Sequence, residues 1–269
     1  MFYLEGDDLP RSALEMASSL RTSLQRFFTL APNENLSVRI EGGNYPAVDR
    51  FCIGLSGAKL EVERIPPKPA GIGQRRPALR ALKLEISGHT IRVQETEVHL
   101  DLMAADVRFD YDRDKEGRLL LLLVAAGRGD VEVKISHEGL EALLLAQAKA
   151  VAARQGVVVE KVTLELEPID QRSLAMAVRL TAKKLFMRAT VQVKGQVQVD
   201  NELNARILKL SCEGEGPMGT LISNFLGPYL ERLDDLKVPL MAISLGNIRL
   251  QDVQLGFGRF LEVRAVFGS

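Results

Sequence analysis

Tryptophan is absent, aromatic residues make up only 5% of the chain, and 35 basic side chains are matched by 35 acidic ones. So few rings leave little material for stacking on bases or sugars. The charge balance removes the Lys/Arg excess on which binding to a phosphate backbone depends. It also holds along the chain, with 18 basic and 19 acidic groups in residues 1–130 and 17 and 16 in the remainder. A nucleic-acid partner is not expected.

Cysteine is scarce as well. Cys52 and Cys212 cannot build a disulfide framework, and each lies in an apolar-rich segment where it reads as a small buried hydrophobe. Long apolar runs are missing. The longest, Leu119 to Ala126, falls far short of the roughly 20 residues that cross a bilayer. Met1 to Pro10 carries Glu5, Asp7 and Asp8 and lacks the basic and apolar regions of a signal peptide. The expectation is a cytoplasmic protein whose membrane contact, if it has any, is peripheral.

Catalytic signatures read as missing too: no Gly-x-Ser-x-Gly elbow, no Walker A loop, no Gly-x-Gly-x-x-Gly after a strand and no His-Glu-x-x-His. His89, His99 and His137 fall at a turn, in a strand and at a helix start. His89 and His99 could meet across a hairpin, but with no cysteine near either one a surface or structural role is preferred to a metal site. Ser136, His137 and Glu138 are adjacent, so they point in different directions, and helix initiation explains them better than a triad. Asp112, Asp114, Glu116 and Gly117 imitate the start of an EF-hand loop, yet Leu123 stands where the bidentate Glu would be. That cluster, with Asp110, reads as a tight turn. Lys68, Arg75 and Arg76, in the Pro/Gly-rich stretch from Ile65 to Pro77, read as a solvated loop. No cofactor, metal or catalytic residue is expected, and the chain reads as a non-enzyme.

What the sequence has in abundance is alternation with period 2, the mark of strands with one buried face. From Leu185 to Val199 the odd positions are apolar or glycine and nearly all the even ones polar. Shorter runs at 162–167 and 174–181 repeat the pattern, joined by the turn-like 170–173. Further strands are expected at 36–41, 50–64, 79–87, 91–109, 119–125, 130–135, 203–212, 240–245, 247–257 and 260–267, with a turn at Ser87–His89. Such short connections favour antiparallel meanders over βαβ units.

Three segments carry helical spacing instead. Leu9–Leu30 places Ala13, Leu14, Ala17, Leu20, Leu24, Phe27 and Phe28 at three- and four-residue spacing. Ser136 is a candidate N-cap for a helix to about Arg154, with Leu140, Leu143, Leu144, Ala148 and Val151 on one face and Gly156 as its stop. The third, Met218–Asp235, carries a broad apolar stripe and would kink at Pro228. The reading is one extended α+β unit over residues 1–269.

The run Val131-Glu132-Val133-Lys134-Ile135-Ser136-His137-Glu138-Gly139-Leu140-Glu141-Ala142-Leu143-Leu144 is followed by alternating strands. Gly216-Pro217-Met218-Gly219 then leads to Leu236, Val238-Pro239-Leu240 comes next, and two strands close the chain. In this order of elements, residues 98–267 resemble the LmeA-like phospholipid-binding proteins, bacterial relatives of the tubular lipid-binding (TULIP) group. The resemblance implies a long, curved antiparallel sheet wrapped around or packed against amphipathic helices, with lipid held in the apolar gap. The wall it implies consists of Leu221, Ile222, Phe225, Leu226 and Tyr229 on the third helix, facing Val191, Val193 and Val197 on the longest strand. The partner implied is a phospholipid or another hydrophobic ligand. The competing expectation is a structural or interaction protein with a dry core, pairing through sheet edges or apolar helix faces. The sequence sets no oligomeric state.

Overall fold

The computed structural model of the chain describes residues 2–29, 36–60, 73–94, 96–153, 157–184, 187–216, 219, 223, 230–231, 234, 236–240 and 248–269. They divide into two compact units. One comprises Met1–Lys134, Ile243–Asp252 and Arg264–Ser269; the other comprises Ile135–Ala242 and Val253–Val263.

The first half of the chain runs β1 (Phe2–Tyr3), α1 (Ala13–Gln25), β2 (Phe28–Thr29), β3 (Ser37–Glu41), β4 (Ala47–Gly54), β5 (Lys59–Leu60), β6 (Arg76–Val93), β7 (Thr96–Arg113) and β8 (Leu119–Ala125). The helix starts four residues later than its apolar spacing suggests. Ser12 caps it, its hydroxyl accepting from the Glu15 N–H at 3.2 Å, and a capped start outweighs continuing periodicity. Met16, Leu20 and Leu24 then bury one stripe. The sheet is ordered β15–β16–β9–β7–β6–β4–β3, where β9 is Arg128–Ser136, β15 Arg249–Phe257 and β16 Phe260–Gly268. Strands β4 and β5 lie parallel to β6, and β3–β4, β6–β7 and β7–β8 pair antiparallel. Phe51 and Phe109 meet edge to face at 5.6 Å in the middle of the core.

The turn expected at Ser87–His89 is instead an irregularity inside β6. Pairing with β7 shifts register between Gly88 and Ile91, and Thr90 takes φ 61°. A Cβ at residue 88 would stand 2.3 Å from the Ile91 side chain, so glycine there serves close packing rather than chain reversal. The strand expected over 50–64 divides at Leu55–Ala58, where Gly57 has φ 74°. Most of the Ile65–Pro77 loop, Lys68 included, lies outside the described residues.

One further irregularity spans three strands. Val48, Ala81 and Val107 are buried, as are Phe51, Leu84 and Ala104. Between them two successive residues on each strand are exposed: Asp49 and Arg50, Leu82 and Lys83, Asp106 and Ala105. The extra outward row occurs in all three strands at matching register, so their pairing stays in step. Asp106 absorbs part of it with φ 50°.

The acidic turn joins β7 to β8, and its carboxylates are occupied. Asp112 accepts from the N–H groups of Gly73 (3.0 Å) and Arg113 (2.8 Å). Asp114 accepts from the Arg118 N–H (2.8 Å) and its Nε (2.7 Å), and Gly117 has φ 80°. Burial works against ionisation of Asp114, but the hydrogen bonds from Arg118 outweigh it and hold the carboxyl below its usual range.

The other unit contains α2 (His137–Ala153), β10 (Val158–Asp170), β11 (Ser173–Lys184), β12 (Met187–Val199), β13 (Asn204–Glu215) and β14 (Leu236–Pro239). The five strands pair consecutively and antiparallel, as their alternation and short connections require. Ser136 is the cap expected of it, its hydroxyl accepting from the Gly139 N–H at 3.0 Å. Most of the third helix, the proposed stop Gly156, and Leu185 and Phe186 lie outside the described residues. The architecture is α+β and mostly strand. No described helix is long and apolar enough to cross a membrane.

Candidate functional site

The antiparallel register of β10 to β14 gathers the apolar residues of all five strands into continuous ladders. One row runs Leu164, Val178, Val193 and Cys212; the next runs Val162, Leu180, Val191 and Gly214. Toward the other end Leu174 pairs with Val197 and Val197 with Ile207, which faces Leu236. Successive strand residues alternate faces, so these side chains share one side of the sheet. The intervening positions carry Thr181, Thr190, Gln192 and Lys194, with ion pairs from Arg188 to Glu160 (2.5 Å) and from Lys194 to Glu213 (3.0 Å).

Burial along this apolar face is incomplete. Val162, Leu164, Leu174, Val191 and Val199 are buried, whereas Met176, Val178, Leu180, Val193, Val197, Ile207 and Cys212 are only half-buried. Among the described residues, the cluster of buried apolar side chains that forms a closed core belongs wholly to the first unit. Burial raises the pKa of the Cys212 thiol, and the neighbouring Glu213 carboxylate adds to the effect. The face is not smooth. Pairing of β12 with β13 shifts between Lys194 and Gln196, Lys209 has φ 56°, and the space over Gly195 is taken by Leu210 and Met176.

Helix α2 lies along β10. Glu141 accepts a hydrogen bond from the Leu164 N–H at 2.8 Å and stands 3.3 Å from His137 Nε2. The His137 ring lies 5.9 Å from that of Phe257. On the same helix Leu140, Leu143, Leu144 and Leu145 are all half-buried.

Of the residues expected to line a lipid site, the structure brings Val191, Val193 and Val197 together on the apolar face. Leu221, Ile222, Phe225, Leu226 and Tyr229 lie outside the described residues. Leu180, Met176, Ile207 and Cys212 belong to the face and were not singled out from the sequence. The two-residue connection between Asp170 and Ser173 could have found the first two, since a tight hairpin fixes which side chains stand opposite each other. Ile207 and Cys212 lie on either side of the register shift, so no simple count from the turn places both.

Gly214, Gly216 and Gly219 have the spacing of a dinucleotide-binding loop and lie at the end of β13, which corrects the expectation that no Gly-x-Gly-x-x-Gly follows a strand. Their setting excludes that role, because β13 runs antiparallel to both neighbours, whereas the loop needs a parallel βαβ crossover. Close packing explains Gly219: a Cβ there would stand 2.7 Å from the Gly214 backbone.

His89 and His99 do approach, with ring centres 6.0 Å apart. Among the described residues no group of three or more His, Cys, Asp or Glu could hold a metal. Comparison with known proteins gave no match to a family model, a curated protein or a solved structure.

Proposed function

We propose that the chain is a non-enzymatic binding protein for phospholipid or another hydrophobic ligand, with acyl chains lying on the apolar face of β10–β13. The observation that carries this reading is the contiguous set of half-buried aliphatic side chains, Val178, Leu180, Val193, Val197 and Ile207. An acyl chain covering them would gain about 0.8 kcal/mol per buried methylene with no directed polar contact. The finer arrangement, a helix closing a curved sheet over the ligand, is part of the same proposal. It assigns Leu221, Ile222, Phe225, Leu226 and Tyr229 to the opposite wall.

The test is to strip the purified protein of lipid, incubate it with mixed phospholipids, repurify it and analyse it by mass spectrometry. Lipid should be retained, and Val193→Asp should abolish retention while Gln192→Asp, its neighbour on the polar face, should not. A wild-type protein that comes back empty rejects the proposal.

A second reading, pairing with another copy or a partner, is favoured by β14. Among the described residues it pairs only with β13, and it exposes Leu236 (41%) and Val238 (49%). Light scattering showing a stable oligomer that carries no lipid would favour it.

A further inference from the structure

The doubled outward row of β4, β6 and β7, with Arg80 and Arg108 beside it, carries charges that, Lys83 aside, have no ion-pair partner among the described residues. Arg80 stands directly opposite Arg108, an arrangement that is destabilising unless something offsets the repulsion. Register places Leu82 two residues along, between Asp49 and Asp106. Arg80, Arg108, Asp49 and Asp106 are all exposed, and among the described residues none has a side-chain hydrogen bond or ion pair. Leu82, 62% exposed, lies in their midst. Two residues along a strand span about 6.6 Å, so the backbone positions of Arg80 and Arg108 lie about that far along the strands from those of Asp49 and Asp106.

A cavity of about 310 Å³ is lined by Asp49, Arg80, Leu82 and Asp106 and by Gly43, Asn44 and Ala47 of the Gly43–Ala47 turn, and Arg108 stands beside it, opposite Arg80 on the neighbouring strand. The turn is held in place. Tyr45 donates its hydroxyl proton to the Pro10 carbonyl at 2.7 Å, and the Ala47 N–H donates to the Asn44 carbonyl at 2.8 Å. Gly43, with φ 67°, packs so closely that a Cβ would stand 2.4 Å from the Ala47 carbonyl oxygen. The volume is near the lower end of small-ligand sites.

We propose that this cavity binds a compact phosphate–ammonium zwitterion, with the phosphate on Arg80 and Arg108 and the ammonium between Asp49 and Asp106. Two guanidinium groups suit a phosphate, which offers several acceptor oxygens. Two carboxylates suit an ammonium that still carries N–H donors. A quaternary ammonium is recognised instead by aromatic faces, and among the described residues no aromatic side chain lines the cavity. The chemistry therefore favours the phosphoethanolamine group over phosphocholine. It can be presented by a free small molecule or by a lipid headgroup. The inference does not depend on the apolar face of the five-stranded sheet and stands or falls separately.

Calorimetric titration of the full chain with phosphoethanolamine, phosphocholine, ethanolamine and inorganic phosphate tests the first source. Flotation with phosphatidylcholine vesicles, with and without phosphatidylethanolamine, tests the second. Phosphoethanolamine should bind saturably and about tenfold or more tighter than phosphocholine or either half alone. Arg80→Gln and Asp106→Asn should each cost a similar factor without lowering the thermal melt. Binding to phosphatidylethanolamine vesicles alone, lost in Arg80→Gln, identifies the lipid headgroup as the source; binding to soluble phosphoethanolamine alone identifies a free metabolite. No binding in either format, equal affinity for phosphocholine, or full binding by Arg80→Gln would overturn the proposal.

Discussion

The carboxylate of Glu141, on α2, accepts the backbone N–H of Leu164, on β10, at 2.8 Å. Strand β10 forms one edge of the five-stranded sheet, so this side chain occupies a donor that an edge would otherwise present to another chain. Leu164 is buried, and stranding its N–H costs about 1–3 kcal/mol. Glu141→Ala should lower stability by that amount in urea denaturation and promote self-association, and Glu141→Gln, which keeps an acceptor, should restore most of the loss. Equal stability of all three proteins would show that the bond contributes nothing.

Cys212 reports on the apolar face. In a Cys52→Ser background it is the remaining thiol, and its raised pKa keeps the thiolate fraction small at neutral pH. Alkylation followed by mass spectrometry should be slow at pH 7 and accelerate as pH rises above the ordinary thiol range. Loading with phospholipid should slow it further. Identical rates with and without bound lipid would place the ligand elsewhere.

Two glycines separate backbone crowding from side-chain crowding. Gly43→Ala forces a Cβ against a fixed carbonyl at positive φ and should be strongly destabilising, by several kcal/mol. Gly195→Ala meets only the ends of Leu210 and Met176, which can move aside, and should cost about 1 kcal/mol or less. Paired thermal melts decide the order, and a larger loss at residue 195 would contradict it.

Asp200 makes stability depend on acid. The Asn204 N–H, its side-chain amide and the Glu202 N–H all donate to this carboxylate, and against the opposing effect of burial they hold its pKa below the usual range. A group whose pKa is lower in the folded state takes up its proton more readily in the unfolded one. Its contribution is therefore present above about pH 4 and is lost as pH falls through the folded value. Asp200→Asn should lower the melting temperature at pH 7, with the gap from wild type narrowing toward pH 3. A gap that stays constant would show that this carboxylate does not titrate in that range.

Local signals were the most legible in the sequence. Ser136 was readable as a cap because the hydroxyl and the N–H it satisfies lie three residues apart. The meander from Val158 to Val199 was readable because alternation and short turns together fix strand and register. The direction of β4 against β6 was not, since alternation looks the same in parallel and antiparallel pairs and the partners are some thirty residues apart. The zwitterion cavity was equally hidden. Asp49 and Arg80 are unremarkable in sequence and become neighbours of Asp106 only through the pairing of three strands.

The extra outward row at Asp49–Arg50, Leu82–Lys83 and Ala105–Asp106 also limits how this chain can change length. Removing one residue from β6 alone would restore simple alternation in that strand and turn every side chain beyond the deletion to the wrong face, while β4 and β7 kept theirs. Only matching deletions in all three strands would preserve the packing around Phe51 and Phe109. Homologues should therefore gain or lose the row only as a set of three.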